Sequence, residues 1–318
     1  MNRRKIHLIA NPGAGQTGLN LKQLNTIFSE ADVDWELSLT RQAGDARRLA
    51  AAAAQNGADV VAIFGGDGSV AEAAAGLLGV TTPLAIVPGG TANVLSVELG
   101  IPLDIDAALR LAADPTAAVR SMDMASVNEQ YFCLRVGIGF EAEMVEGAGR
   151  AAKDKFGVFA YLFSALQKLS APVVSRYRLV VDGQTVETEG VACFIANSGS
   201  LGQPGMSLAA GIDVADGKLD VVVIPQANFA TLTELISTIW GRKELHPEDL
   251  SSPYTELGAQ VGRALQYWQA GEVSVAADPP QRVQADGELL GNVAVTCRVL
   301  PGALQVLVPR PASPAPAR

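Results

Sequence analysis

The sequence is poor in residue types whose abundance marks particular classes of protein. It has three cysteines, Cys133, Cys193 and Cys297, far apart in the chain, and only two histidines. So few cysteines and histidines, so far apart in the sequence, predict neither a disulfide framework nor a zinc site. The cysteines are expected to be free thiols, which indicates a reducing compartment and a cytoplasmic location.

An excess of basic charge and long apolar runs are also missing. The net charge is −9, which argues against nucleic acid as the main partner, because a phosphate backbone requires a basic face. No apolar run approaches the roughly 20 residues of a membrane span. The basic start, 3–5, leads into a run that ends at Ala10, shorter than the ~7 to 15 apolar residues of a secretory leader. We therefore expect neither a transmembrane segment nor a signal peptide.

The first part of the chain alternates between strand and helix patterns. Asp45 can cap the second helix, and Gly57 can end it in a left-handed conformation. Such alternation predicts a doubly wound parallel sheet covered by helices, with ligands beyond the carboxyl ends of the strands. The predicted strands are 5–10, 35–40, 60–64 and 84–87, and the predicted helices are about 19–30, 46–56 and 70–78.

After about residue 122 the pattern becomes that of an antiparallel, β-sandwich-like domain. Asp182-Gly183 between two alternating runs predicts a hairpin. Helices are predicted at 158–169 and 229–240, and the Pro/Ala-rich tail 311–318 is expected to be disordered. The predicted domains are thus 1–122, which 299–310 could complete, and 123–298.

Three glycine-rich loops follow strands of the first domain. NPGAGQTG contains Gly13-x-Gly15-x-x-Gly18, and FGGDGSVAEA and VPGGTANVL follow the third and fourth predicted strands. One such loop is usually a simple turn, but three at one sheet edge favour a phosphate site built from backbone amides. Asp67 can hold Mg²⁺ or its waters, and the Thr91 hydroxyl lies at a helix start. A dinucleotide remains an alternative, although Arg41 stands where a ribose-binding acid is expected.

In this order, NPGAG, GGDGSVAE, PGGTAN, DGKLD and DGE resemble the diacylglycerol kinase catalytic-domain family of lipid kinases, especially its soluble bacterial members, which are related to sphingosine kinases. The resemblance runs from about Lys5 to Pro309. It implies ATP-dependent phosphorylation of a lipid hydroxyl, in a cleft between an α/β nucleotide domain and a β-sandwich domain. Diacylglycerol or a similar glycerolipid or sphingoid is the expected substrate class. This chain, like such families, has no Walker A loop.

Carried over by position, the resemblance implies a role for each matching residue. Asp216 would bind a structural Mg²⁺ through its side chain, with the backbone carbonyls of Asp213 and Lys218. Asp286 and Glu288 form an acidic pair, of which either could accept the lipid proton, and with Asp67 they make up the catalytic set. Asp123 is expected to support the site. ATP would be held by Asn11, Pro12, Gly13, Ala14, Gly15, Thr40, Gly66, Asp67, Gly68, Ser69, Val70, Ala71, Glu72 and Thr91.

The sequence departs from the family pattern at several positions. Val94 stands where many members have Asp, Ser69 stands where Thr is usual, and SLGQPGM replaces a Gly-Gly-Gly run. Val94 puts any role of a carboxylate there in doubt. The stretch 246–268 looks longer than the usual link in the family, and we assign it no function.

The resemblance also implies partners. The expected partner is a lipid at a membrane surface, reached from the cytoplasm by peripheral association with the inner membrane face, and a homodimer is left open. The basic residues Arg150, Lys153 and Lys155 precede an apolar helix pattern that fits a packed core better than membrane contact. Two functional alternatives remain: an NADP-dependent oxidoreductase, and a nucleotide-binding lipid sensor without turnover.

Overall fold

The structure is a computed structural model that describes residues 3–14, 18–139, 173–200, 211–225 and 265–310. The chain divides into two compact units. The first comprises Met1–Gly90, Leu99–Met122 and Leu304–Arg318, and the second comprises Thr91–Glu98 and Asp123–Ala303. The predicted helices 158–169 and 229–240, the basic residues around 150 and the tail 311–318 lie outside the described residues.

The first unit contains a parallel sheet. Its strands are β1 (Lys5–Ala10), β2 (Asp34–Leu39), β3 (Val60–Gly65) and β4 (Leu84–Pro88), in the order β2-β1-β3-β4. The end of β16 (Val295–Val308) continues the sheet, with Val306 paired in parallel to Leu84. The helices of this unit are α1 (Leu21–Glu30), α2 (Asp45–Gln55), α3 (Asp67–Gly76) and α5 (Ile105–Ala113).

Local sequence explains how these helices begin. The Asn20 side chain accepts hydrogen bonds from the Lys22 and Gln23 amides and caps α1. The prediction that Asp45 caps α2 is wrong by one residue. Gly44, with φ +85°, precedes the helix, and the Asp45 carboxylate turns back to accept from the amides of Arg41 and Gln42. A left-handed residue is needed there, and glycine adopts it without strain.

The second unit is antiparallel. Its strands are β5 (Ala118–Val127), β6 (Gln130–Phe132), β7 (Arg135–Gly139), β8 (Ser175–Val181), β9 (Gln184–Gly190), β10 (Ala192–Ala196), β11 (Leu219–Ile224), β12 (Gln266–Ala270), β13 (Glu272–Asp278), β14 (Val283–Ala285) and β15 (Glu288–Gly291). One sheet has the order β12-β11-β10-β7-β14-β15, and the other joins β9, β8, β13 and the first part of β16, to which β5 and β6 are added. The short helix α4 (Val94–Glu98) also belongs to this unit.

The two sheets of this unit share one hydrophobic core. Leu179 on β8 and Val275 on β13 belong to the same buried cluster as Ile138 on β7 and Val221 on β11. Alternate inward residues from both sheets therefore form a sandwich. Asp182-Gly183, both at positive φ, makes the predicted hairpin between β8 and β9. The predicted fold class, an α/β unit with a parallel sheet followed by an antiparallel β-sandwich-like unit, is confirmed.

The three cysteines are free and buried. Burial raises the pKa of the Cys297 thiol to about 12 and also raises that of Cys193. None of the helices in the described ranges is long and apolar enough to cross a membrane.

Candidate active site

Asn11 organises the first glycine loop, directly after β1. Its amide nitrogen donates to the Phe64 carbonyl at 2.9 Å, and its Nδ2 donates to Ser69 Oγ at 2.9 Å. Its Oδ1 accepts from the Gly13 amide at 2.9 Å. A single asparagine thus ties the end of β1 to the end of β3 and to the first turn of α3. These contacts bring the first two predicted loops together.

The second and third loops meet through backbone alone. The Gly89 amide donates to the Gly65 carbonyl at 2.8 Å. A Cβ added at Gly66 would lie 3.3 Å from the Gly90 Cα, and one added at Gly65 would lie 2.5 Å from Ser69 Cβ. A Cβ is therefore excluded at Gly65 within the second loop, and one at Gly66 would be tight against the backbone of the third loop. The result is a cradle of peptide groups at the N-terminus of α3, which favours an anion.

The other predicted ATP residues of the first unit have varied surroundings. Asp67 opens α3 in a half-buried position. Glu72 lies in the same helix, but its Oε2 accepts from the Ala46 amide at 3.2 Å, which caps the start of α2. The Thr40 amide donates to the Ala10 carbonyl at 3.0 Å, at the end of β2. Pro12, Gly13 and Gly68 are exposed, Ala14 and Val70 are buried, Ala71 is half-buried, and Gly15 lies outside the described residues.

Thr91 directly follows the two glycines of the third loop. It is exposed and falls in the second unit, together with Val94, which is buried at the start of α4. Its neighbour Asn93 has φ +45°. The structure therefore divides the third glycine loop after Gly90.

The acidic pair lies at the hairpin turn between β14 and β15. Asp286 and Gly287 both have positive φ, as an Asp-Gly turn of this kind requires. The Asp286 carboxylate accepts hydrogen bonds from three consecutive amides, those of Cys133 (2.7 Å), Leu134 (3.0 Å) and Arg135 (2.9 Å). Its orientation is therefore fixed by the backbone that leads into β7.

Asp286 and Glu288 have opposite environments. Burial raises the pKa of the Asp286 carboxyl to about 6, although the three amides and the charge of Arg135 act to lower it. Glu288 is exposed. Asp286 is thus held in place by backbone amides and has a pKa raised toward neutral pH.

The predicted metal turn, 213–218, is anchored by Asp123. The Asp123 amide donates to the Val214 carbonyl at 2.7 Å, and its carboxylate accepts from the amides of Gly217 (2.6 Å) and Gly302 (2.7 Å). Asp123 is 3% exposed. The buried carboxylate therefore fixes the turn in place, while its supporting role at the site stays a prediction.

Within the turn, both aspartates are exposed. Asp213 Oδ1 accepts from the Ala215 amide at 3.1 Å, and Asp216 Oδ1 accepts from the Lys218 amide at 2.9 Å. These contacts make a tight loop with a carboxylate at its tip.

Sequence reasoning missed Asn197, which links the acidic pair to Asp123. The Asn197 Nδ2 donates to the Cys133 carbonyl at 2.8 Å and to the Asp123 carbonyl at 3.0 Å, while its buried Oδ1 has no hydrogen-bond partner within the described part of the chain. A continuous set of hydrogen bonds therefore runs from Asp286 to the 213–218 turn. No motif marks this asparagine in the sequence.

Sequence reasoning also missed Asp220. It lies on β11, is completely buried, and accepts from the Tyr267 hydroxyl and from Gln269 Nε2 at 3.0 Å. Burial raises its pKa. The signal was present in LDVVVI, since a carboxylate within an apolar strand is unusual.

A cation at the 213–218 turn would depend on oxygen donors of both side chain and backbone. In the described part of the chain, no group of three or more His, Cys, Asp or Glu side chains is arranged to hold a metal. A cation would need backbone carbonyls as well as Asp216, and a turn supplies such carbonyls. Oxygen donors of this kind suit Mg²⁺ or Ca²⁺.

Comparison with known proteins identifies related families for both units. Residues 5–127 match the diacylglycerol kinase catalytic domain, and residues 135–250 match the YegS C-terminal NAD kinase beta sandwich-like domain. An uncharacterized protein of Synechocystis is 29% identical over 320 residues, covering 95% of this chain and 70% of the relative. A protein of Staphylococcus haemolyticus named as a candidate lipid kinase is 27% identical over 251 residues, covering 78% of this chain and 76% of the relative.

Solved structures resemble the whole chain. The crystal structure of a diacylglycerol kinase from Bacillus anthracis is 26% identical, with a TM-score of 0.78 and coverage of 98% of both chains. A second structure of a candidate diacylglycerol kinase from the same organism gives a TM-score of 0.79 at 26% identity, and it covers 96% of both chains.

Proposed function

This chain belongs to the diacylglycerol kinase catalytic-domain family, and on that premise we propose that it is a Mg²⁺-dependent lipid kinase. It transfers the γ-phosphoryl group of ATP to the hydroxyl of a lipid. The proposed substrate class is diacylglycerol or a similar glycerolipid or sphingoid. The proposed place of reaction is the surface of the inner membrane face, reached from the cytoplasm.

The observation that carries the proposal is the side-chain-free approach of the glycine loops. Gly66 and Gly90 come so close that a methyl group would be 3.3 Å from the opposite Cα. Asn11 and Ser69 hold the loops in place from the side. A site made of amides, with a helix N-terminus beneath it, suits a polyphosphate because donors can converge on the anion.

We assign the phosphoryl-transfer roles as follows. When bound, ATP would supply the phosphoryl group and Mg²⁺ would neutralise charge on the phosphate oxygens. Asp67 would hold the metal or its waters, and the loop amides would bind phosphate oxygens. Asp286 accepts the proton of the lipid hydroxyl, since its fixed carboxylate has a pKa near the working pH. Glu288 is the second carboxylate of the pair.

We further assign a structural Mg²⁺ to the 213–218 turn. Asp216 would hold it through its side chain and Asp213 and Lys218 through their carbonyls. The hydrogen bonds of Asp123 to Val214 and Gly217 support this assignment, because they fix the backbone that would carry the carbonyl ligands. The metal would order the turn rather than take part in the transfer.

The test is incubation of the purified protein with labelled ATP and a panel of lipids. The panel contains diacylglycerol, monoacylglycerol, a sphingoid base and phosphatidylglycerol, each with and without Mg²⁺. We expect a labelled lipid in at least one reaction and none without Mg²⁺. ATP binding with no labelled lipid would indicate a sensor, and tight NADPH binding without ATP binding would indicate an oxidoreductase.

A further inference from the structure

Glu98, the last residue of α4, has no role in the assignments above. Its carboxylate accepts two hydrogen bonds at the same oxygen, Oε2: one from the Ser198 hydroxyl at 2.7 Å and one from the Ser200 amide at 2.8 Å. Ser198 is completely buried, and Ser200 is 6% exposed. Hydrogen bonds to a carboxylate are about twice as strong as those between neutral groups. Glu98 therefore fixes α4 to one particular stretch of buried chain.

That stretch, residues 197–200, is called the bridge below, and its other side is held by the start of β7. The amides of Asn197 and Ser198 donate to the Leu134 carbonyl at 2.8 and 3.0 Å. Arg135 Nη1 donates to the Ser200 carbonyl at 3.0 Å, in a buried hydrogen bond. The bridge thus links α4 to the segment that leads into β7.

The same segment holds the proposed base. The amides of Leu134 and Arg135 donate to the Asp286 carboxylate at 3.0 and 2.9 Å. A continuous path of hydrogen bonds therefore runs from Glu98 through the bridge to Asp286. A displacement of the bridge would disturb the backbone that orients the base.

The other end of this path reaches the third glycine loop. α4 begins three positions after Thr91, and its first turn is closed by the Val97 amide, which donates to the Asn93 carbonyl at 3.1 Å. Thr91, α4 and Asp286 all belong to the second unit. The distance between the Thr91 hydroxyl and the Asp286 carboxylate is therefore set within one compact unit.

We propose that Glu98 is a positioning residue for phosphoryl transfer. By fixing α4 to the bridge, it keeps the hydroxyl of Thr91 at a constant distance from the carboxylate of Asp286. A shift of about 1 Å in such an arrangement lowers a rate by about 100-fold without any change in the reacting groups. The inference rests on the proposed function, in which Thr91 binds ATP and Asp286 accepts the lipid proton.

The test measures kcat for labelled-lipid formation and, separately, ATP affinity by titration. Glu98→Ala should lower kcat by about 10-fold to 100-fold, with a smaller effect on ATP affinity. Glu98→Gln keeps an acceptor oxygen for both bonds and should retain most of the turnover. In Thr91→Val, which lacks the hydroxyl that is positioned, adding Glu98→Ala should cause little further loss of kcat, because residues that act as a unit are not additive.

Ser175→Ala is the control for a loss of stability alone. Buried Ser175 donates to the Pro279 carbonyl and accepts from Gln281 Nε2 in the same unit, so this variant should lose stability while its folded molecules keep the wild-type kcat. Ser198→Ala is the substitute if Glu98→Ala does not fold by circular dichroism. It removes one of the two hydrogen bonds to Glu98 and should lower kcat to a smaller extent.

The outcomes separate the positioning role from the proposed function. An unchanged kcat in folded Glu98→Ala, or in Ser198→Ala if the former is unfolded, overturns the positioning role alone. Additive losses from Glu98→Ala and Thr91→Val overturn it too, since a general loss of order would act independently of Thr91. If the wild type labels no lipid, the proposed function fails, and this inference fails with it.

Discussion

The glycine loops of the first unit and the acidic network of the second unit differ in the chemical groups that form them. In the first unit, peptide groups form the proposed phosphate cradle, and the loops approach each other at Gly66 and Gly90 without side chains. In the second unit, polar side chains form the candidate site, since Asp286, Asn197 and Asp123 are joined by hydrogen bonds to backbone groups.

This difference determines what each region tolerates. A cradle of amides depends on close approach of two backbones, and a Cβ between them forces the loops to shift by a few tenths of an ångström. A carboxylate network tolerates neighbouring methyl groups but depends on each oxygen having its donors, because an unsatisfied buried group costs about 1–3 kcal/mol. Substitutions of the two kinds should therefore have separable effects on binding and on turnover.

The largest effect is expected at Asp286. Asp286→Asn should lower turnover on the preferred lipid by about 10² to 10⁴, because a general base is lost, while ATP affinity stays nearly unchanged. Steady-state rates and an ATP titration measure the two quantities. An amide also turns an NH₂ group toward the Cys133 and Arg135 amides, so the folded fraction must be determined first.

Glu288→Gln is the matched comparison, because it neutralises the exposed member of the pair. We expect a smaller loss of turnover than in Asp286→Asn. A larger loss would make Glu288 the base, and full turnover in both variants would place the base elsewhere.

The next largest effect is expected in the glycine cradle. Gly66→Ala should weaken ATP binding by about 10-fold to 100-fold, since moving the loops apart removes one or two charge-assisted hydrogen bonds of about 1.5–3 kcal/mol each. Isothermal titration with ATP measures the change in affinity.

Gly76→Ala is the control at the other end of α3. A Cβ there would meet the Arg47 carbonyl oxygen at 2.3 Å, so this variant should lose stability while its folded molecules bind ATP normally. Equal ATP affinity in Gly66→Ala and the wild type would contradict the assignment of the cradle.

The pH dependence of turnover should sharpen the assignment of the base. The pKa of Asp286 is raised from 3.8 to about 6, and only the ionised carboxylate can accept a proton. Turnover should therefore fall about tenfold per pH unit below 6 and level off above it. A profile that is flat between pH 5 and 8 under saturating ATP would speak against Asp286.

The same raised pKa has a consequence for stability. Between pH 4 and 6 the folded state binds more protons at Asp286 than the unfolded chain does, so the free energy of unfolding should decrease as pH rises through this window. Urea titrations of the wild type and of Asp286→Asn, which lacks the titrating group, would isolate this contribution.

The smallest effect is expected at Asn197. Asn197→Ala removes the donors to the Cys133 and Asp123 carbonyls and should lower the free energy of unfolding by about 1–3 kcal/mol. Denaturant unfolding measures it. Ser126→Ala, at a half-buried position on β5 where the hydroxyl donates only a long hydrogen bond of 3.5 Å to the Arg298 carbonyl, should change stability little, and equal stability of the two variants would contradict a stabilising role of the Asn197 link.

Much of the fold could be predicted from local patterns. The apolar runs of β3 and β4, the Asp182-Gly183 hairpin and the left-handed Gly57 all follow from short-range rules of burial and backbone conformation. The start of α2 could not be placed correctly, because Asp45 and Gly44 both suit a helix start, and the contacts of Asp45 with Arg41 and Gln42 decide between them.

Some parts of the candidate site could also be predicted from the sequence. Glycine spacing predicted the proposed phosphate loops, and the Asp-Gly-Glu motif predicted the acidic pair 286 and 288, since these motifs lie within short segments of the chain. The sequence by itself could not tell that Glu72 caps α2 or that Asn197 joins Cys133 to Asp123, because these contacts link residues 26 to 74 positions apart.

The sequence alone determined the order of strands and helices, the glycine loops and the set of acidic residues, because propensity, periodicity and turn chemistry act over a few neighbouring residues. Only the tertiary structure decided which carboxylates are held and which are exposed. Asp286 is a fixed group with a raised pKa, and Asp220 is a fully buried one whose Oδ2 has no hydrogen-bond partner among the residues that the structure describes. Burial and hydrogen bonding depend on residues distant in the chain, and these two properties set what a carboxylate can do.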